Sequence, residues 1–326
     1  MDLQTKLTEA ANIAYPIICG AMYPCSNPEL VAAASEAGGL GIVQPVSLTY
    51  VHGYEFREGL RKIKSLTSKP IGMNALIEAS SRTYENRMKE WVDIALEEGV
   101  RFFVTSLGKP TWVVDAVEPH GGVVYHDVTE RKWALKGLES GVHGLIAVNS
   151  RAGGHAGPRT PAELMDELED LGVPIVCAGG IGTPEEFVAA LERGYAGVQM
   201  GTRFIATTEC TAAMPYKRAI LESGEDDIVL TERVTGVPLS VIETPYIERL
   251  GTKAGPLARW MLKGRWRKRL MRTIYALWSG WRLKQSSYDE SGEKDFWQAG
   301  RSVAGIDEIK PVARIIEELV AAARRA

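Results

Sequence analysis

Short apolar runs alternate along the chain with longer stretches in which apolar residues recur every third or fourth position. The first kind reads as buried strand, the second as amphipathic helix. Tyr15 to Gly20 is the first expected strand. A helix from Glu29 to Ala37 follows, opened by Ser26-Asn27-Pro28 and stopped by Gly38-Gly39. Strand Leu40 to Val43 precedes helix Gly53 to Leu66; strand Pro70 to Leu76 precedes helix Arg82 to Glu97. Strand Arg101 to Thr105 and helix Thr111 to Val117 come next, then strand Gly122 to His126 and helix Thr129 to Leu138. Gly144 to Val148 with Pro161 to Leu168, Pro174 to Ala178 with Pro184 to Leu191, and a last strand, Ala196 to Met200, complete the series.

Units of roughly 25 residues fit right-handed strand–helix–strand crossovers in a parallel sheet. With this many of them, the expected fold class is α/β, a (β/α)8 TIM barrel. A doubly wound sheet is disfavoured, because no GxGxxG follows the first strand. Beyond Arg203 the alternation stops. Residues 203–295 read as helices and loops, with a helix at Glu209 to Ser223 and a flexible loop at Gln285 to Asp295. The expected organisation is a barrel of residues 1–202 and 296–326, with a helical lid, 203–295, inserted after the eighth strand. A final amphipathic helix spans Pro311 to Ala323.

The 326 residues carry a net charge of -3, which gives no global attraction to nucleic acid. The polar, mixed-charge start, Met1 to Asn12, lacks the form of a signal peptide, and no run reaches the ~18 apolar residues of a membrane span. A cytoplasmic protein is expected. Cys19, Cys25, Cys177 and Cys210 form no CxxC pair and match no zinc spacing, so no metal is expected. Cys19 and Cys177 sit in apolar runs and read as small hydrophobes.

The candidate chemistry gathers at the ends of the last three barrel strands. The seventh ends in Ala178-Gly179-Gly180 and the eighth in Gln199-Met200-Gly201-Thr202. In this fold the loops after these strands commonly bind phosphate at the C-terminal mouth. Glycines let backbone N–H groups approach an anion, and a short helix beginning near Thr202 would turn its positive end toward it. Tight turns alone would also use glycine, but glycines in two adjacent loops favour phosphate. After the sixth strand, His155 follows Ala152-Gly153-Gly154 and precedes Gly157. A loop histidine free of helix faces and apolar runs suits proton transfer. His52, His120 and His143 read as solvated, whereas His126 ends a strand and could face the mouth.

Several segments together resemble the nitronate monooxygenase (2-nitropropane dioxygenase) family: PIICGAM (16–22), SEAGGLGIV (35–43), GMNALIE (72–78), AGGHAGP (152–158), PIVCAGGIG (174–182) and GVQMGTRFIAT (197–207). FWQAGRSVAGI (296–306) resembles the family's C-terminal segment. The resemblance implies a TIM barrel that binds FMN. Gly20, Ala21 and Met22 would lie along the isoalloxazine ring, and Asn74 would bond its polar edge. Ala152, Gly153 and Gly154 would pass close to the cofactor. Ala178, Gly179, Gly180, Gly201 and Thr202 would hold the phosphate, with Gln199 and Met200 beside it, and His155 would be the catalytic acid/base.

The implied activity is oxidation of a nitroalkane or its nitronate with O2. Relatives in the superfamily leave open an NAD(P)H-dependent enoyl-thioester reductase or an NADH:quinone reductase. A non-catalytic phosphate-binding barrel fits the glycine loops but not His155. An inosine-monophosphate-type dehydrogenase would need a loop Cys, for which only Cys25 offers itself. From Arg249 to Tyr288 the chain carries Arg249, Lys253, Arg259, Lys263, Arg265, Arg267, Lys268, Arg269, Arg272, Arg282 and Lys284, without one Asp or Glu. Trp260, Trp266, Trp278 and Trp281 are interleaved. Such a stretch would attract an anionic partner such as an acyl-CoA or an acyl carrier protein. A homodimer is compatible with the sequence.

Overall fold

A computed structural model of the chain describes residues 1–78, 81–233, 238–253, 281–290 and 296–326. Eight parallel strands close into a barrel in sequence order: β1 (Ile17–Cys19), β2 (Leu40–Val43), β3 (Ile71–Ile77), β4 (Phe102–Leu107), β5 (Val123–Val128), β6 (Gly144–Val148), β7 (Ile175–Ala178) and β8 (Gly197–Met200). β1 seals the ring against β8, with Ile17 opposite Val198 and Cys19 opposite Met200. The TIM barrel is therefore the fold. Strand and helix positions agree with the sequence reading to within a few residues at each end.

Side chains alternate across each strand. Ile18, Leu40, Ile42, Phe102, Val104, Tyr125, Ile146, Val176 and Ala178 fill the lumen. Ile17, Cys19, Phe103, Val124, Leu145, Cys177, Val198 and Met200 pack outward under the helices. Cys19 and Cys177 thus behave as buried apolar residues, as expected.

The start of the chain departs from expectation. Lys6–Ala11 is a helix, capped by Thr5 and Thr8, and Leu7 and Ala11 join the lumen cluster with Ile13. This helix plugs the floor of the barrel. A six-residue helix has too little length to show a periodic pattern, so only the Thr5–Thr8 cap announced it.

Residues beyond 203 are not all helix and loop. β9 (Ile228–Thr231) and β10 (Leu239–Ile242) form an antiparallel pair. Each is only four residues long and rich in β-branched side chains, and pairing between them, not periodicity, creates the structure. The helix expected from Glu209 begins at Met214, where Pro215 sets its first turn. Residues 281–288 are helical with Ser286 and Ser287 buried, so the start of the expected polar loop is ordered helix; 291–295 lie outside the described residues. So do Trp260, Trp266, Trp278 and the cations from Arg259 to Arg272.

The chain returns to the barrel with the helix Val312–Arg325. It packs beside Pro184–Glu192 and Pro28–Glu36, in the gap left between the seventh helix and the first. Its buried residues, Val312, Ile315, Ile316, Leu319, Val320 and Ala323, form one stripe at helical spacing. Burying each large aliphatic side chain contributes about 1.5–3 kcal/mol. No helix among the described residues is long and apolar enough to cross a membrane.

Candidate active site

The C-terminal ends of the strands bring most of the expected site residues together. Gly20 N–H donates to the Met200 carbonyl at 3.0 Å, tying the loop after β1 to the end of β8. Gln199 lies across Gly20, where a Cβ would come within 2.9 Å of the Gln199 side chain. Val198 and Met200 face the helices, so Gln199 between them faces the lumen, and its buried Oε1 has no hydrogen-bond partner among the described residues. The side chain of Met200, a residue expected beside the phosphate, packs in the outer layer. Alternation also turns Asn74 inward from β3, between the outward Met73 and Ala75.

The loops after β6 and β7 interlock. Asn149 donates to the Gly179 carbonyl at 2.9 Å, and its Oδ1 accepts the Arg151 N–H at 2.9 Å. Gly179 and Gly180 both have positive φ, 116° and 79°, and a Cβ on either would lie within 2.6 Å of the β6 loop. Gly201 differs: its φ is negative, and a Cβ there would meet only Met22, Sδ at 3.4 Å. Thr202 Oγ1 accepts the Gly300 N–H at 3.0 Å, so the C-terminal segment also closes on the cradle. A Cβ on Gly153 would come within 2.9 Å of Gly300 N.

His155 sits on this clamped loop. On one side, Ser240 of β10 donates its N–H to the Gly154 carbonyl at 2.8 Å; on the other, Arg301 N–H donates to the Arg151 carbonyl at 2.9 Å. The His155 side chain is exposed, yet burial lowers its pKa. The side chain is open to solvent, while neighbouring protein atoms desolvate the ring in part. A lowered pKa leaves the imidazole neutral near pH 7, the form of a proton acceptor.

The other histidines divide differently from expectation. His126 does not face the mouth. It lies on the outward side of β5, hydrogen-bonded to Thr105 at 2.9 Å and packed where a Cβ on Gly137 would be 3.1 Å away. Desolvation pushes its pKa down to about 4. His120 is exposed as expected, whereas His52 and His143 are half-buried; His143 accepts the Val124 N–H at 3.2 Å. Cys25 is buried beside Cys210, and its thiol is pushed well up by that neighbour and by burial, which makes it a poor nucleophile. No metal-binding cluster occurs among the described residues.

Two residues at the site gave no signal in the sequence. Arg151 pairs with Glu225 at 2.6 Å and Glu186 at 3.2 Å, joining the β6 loop to the segment after β8 and to the helix after β7. Asp127, inward on β5, is the other. Their partners or surroundings are remote in the chain, and no local pattern marks them.

The family model for nitronate monooxygenase matches residues 4–322. The chain belongs to the nitronate monooxygenase family. Within and around this family, the chain is 33% identical over 263 residues to a (3aS,4S,5R,7aS)-5-hydroxy-7a-methyl-1-oxo-octahydro-1H-indene-4-carboxyl-CoA dehydrogenase of Mycobacterium tuberculosis, a match covering 79% of this chain and 71% of the relative. It is 28% identical to a probable nitronate monooxygenase of Staphylococcus saprophyticus, over 77% of this chain and 81% of that one. Among solved structures it superimposes on FabK from Thermotoga maritima with a TM-score of 0.81 and 27% identity, covering 99% of this chain and 97% of that chain. Membership of the nitronate monooxygenase family makes the chain an oxidoreductase.

Proposed function

We propose that the chain is an FMN-dependent oxidoreductase that acts on a carbon acid, with His155 as the group that takes the α-proton. The observation that carries this reading is His155 itself: an accessible imidazole of lowered pKa on a loop that interlocks with the glycine loop after β7. The residues at the mouth fit a flavin mononucleotide. Gly179, Gly180, Gly201 and Thr202 would hold the phosphate. Gln199 Oε1 and Asn74 are inward polar groups suited to the flavin's polar edge, and Gly20, Ala21 and Met22 line the approach from β1. The bound flavin supplies the electron acceptor. The chain's own work is to orient substrate, accept the proton at His155 and hold the cofactor. With a nitroalkane or nitronate as substrate and O2 as final acceptor, this is the activity for which the family is named.

A second reading, a CoA-thioester substrate with NAD(P)H or its oxidised form as partner, is favoured by one specific likeness. The Mycobacterium tuberculosis relative is named as a dehydrogenase of a CoA ester. The cations between Arg249 and Tyr288 suit the phosphates of CoA. Anaerobic mixing of the purified protein with a nitronate, NADH, NADPH and an acyl-CoA, followed by visible absorbance, separates the readings. Bleaching by the nitronate alone supports the first; bleaching by a pyridine nucleotide or thioester supports the second. A protein that is colourless and takes up no FMN would overturn both.

A further inference from the structure

β5 carries the least explained side chain of the barrel mouth. Val123 and Tyr125 pack into the lumen, whereas Val124 and Val128 pack under the helices. Strand alternation therefore turns Asp127 inward, on the same face as Tyr125, at the C-terminal end of the strand. Across the ladder it lies opposite Ile146 of β6. The neighbouring inward positions are Val104 and Ser106 on β4 and Ile146 and Val148 on β6, none of them charged. Tyr125, two positions earlier, is the other titratable side chain on this face of β5, and His126 points the other way. Glu78 directly follows β3, farther round the mouth.

Asp127 Oδ1 is buried and has no hydrogen-bond partner among the described residues. A buried acceptor left bare costs about 1–3 kcal/mol, so such atoms in a folded protein usually await something. Its pKa is pushed up to about 7, by burial alone, with no cation contributing. A further lumen-facing side chain, Gln199, also holds a buried polar atom without a partner among the described residues; the buried Tyr125 hydroxyl belongs to a ring packed lower in the barrel, beside Phe102 and Gly144. A bare carboxyl oxygen and a bare amide oxygen facing the lumen suit a polar occupant better than a packing defect.

We propose that Asp127 is a flavin-contacting residue whose carboxyl group meets the pyrimidine edge of the isoalloxazine ring and takes up a proton when the ring is reduced. That edge offers one N–H donor and two carbonyl acceptors. As a carboxylate, Asp127 accepts from the N–H; as a carboxylic acid, it donates to a carbonyl. Two-electron reduction with one proton leaves the ring with one negative charge. With no cation beside it among the described residues, Asp127 cannot stay ionised next to that charge without a large Coulomb penalty. It therefore gains one proton from solvent, so two electrons enter with two protons instead of one. The inference rests on the flavin reading of the site above.

The test uses the holoprotein reduced anaerobically by dithionite at a series of pH values above neutrality. Wild type should take up one proton more per two electrons than Asp127→Asn, read from the pH slope of the midpoint potential. FMN content should be equal in the two. Equal slopes at full FMN occupancy would overturn the role of Asp127 and leave the flavin reading standing, whereas a wild-type protein that binds no FMN would overturn both. Should Asp127→Asn fold poorly, the reduced-minus-oxidised infrared difference spectrum of the wild type serves instead. A protonated carboxyl band appearing on reduction is expected, and its absence at these pH values would sink the proposal.

Discussion

His155 keeps solvent contact, whereas His126 is sealed between β5 and the helix that follows it. The two rings should answer substitution in opposite ways. His155→Asn should lower turnover by ~10²–10⁴-fold, the usual cost of losing an acid/base group, while FMN content stays at wild-type level. The loss should be larger on neutral nitroalkanes than on pre-ionised nitronates, where the proton has already gone; equal turnover by variant and wild type on both would remove His155 from the mechanism. Because burial lowers the His155 pKa, the acid limb of kcat/KM should lie below the ordinary histidine value of about 6.5.

His126 should matter for stability. Its folded pKa, about 4, is below the unfolded value, so the unfolded chain binds more protons between pH 4 and about 6.5. The neutral ring thus contributes stability that is complete above that window and lost as pH falls through it, at most about 3 kcal/mol. Asp127, raised to about 7, acts with the opposite sign: the unfolded carboxyl ionises first, and stability falls as pH rises from about 4 to 7. In the FMN-free protein, the slope of thermal stability against pH from 4 to 6.5 should therefore be lower than wild type in His126→Gln and higher in Asp127→Asn. Parallel curves for all three proteins would mean that neither group is buried as described.

At the scale of elements, the proposed phosphate cradle is built by the ends of β7 and β8, and its glycines are not equivalent. Gly179 and Gly180 are held at positive φ and pressed against the β6 loop, so any side chain there strains the loop itself. Gly201 has an ordinary φ and free room, which makes it the cleaner probe of the phosphate site. Gly201→Val should fold with wild-type circular dichroism and lose FMN on gel filtration. Retention of one FMN per chain would move the phosphate elsewhere. The glycine loops of the proposed cradle were legible in the sequence, because glycine is the residue that tight turns and a close anion both call for. What they could not convey is that Thr202 already bonds the Gly300 N–H and that Arg151 spans to Glu225, since those partners lie 98 and 74 residues away.

At the scale of the whole molecule, the floor and the ring of helices are closed by the two ends of the chain. Leu7 is fully buried under the barrel, and Val312–Arg325 occupies the last place in the helical ring. Leu7→Ala should cost about 2–5 kcal/mol, read as a lowered midpoint in urea with unchanged FMN stoichiometry. A midpoint equal to wild type would mean that the floor helix does not bear on the barrel. The sequence by itself determined the barrel, the order of its strands, the glycine loops and the histidine beside them. Each is written in a local pattern: period-two and period-3.6 burial, or a glycine where the backbone must turn or approach an anion. Only the tertiary structure decided that β9 and β10 pair, that His126 turns away from the mouth while Asp127 turns into it, and that Met200 packs outward. Those outcomes depend on which face of a strand the closed barrel turns inward and on which remote segment supplies a partner. Local composition is the same for either face.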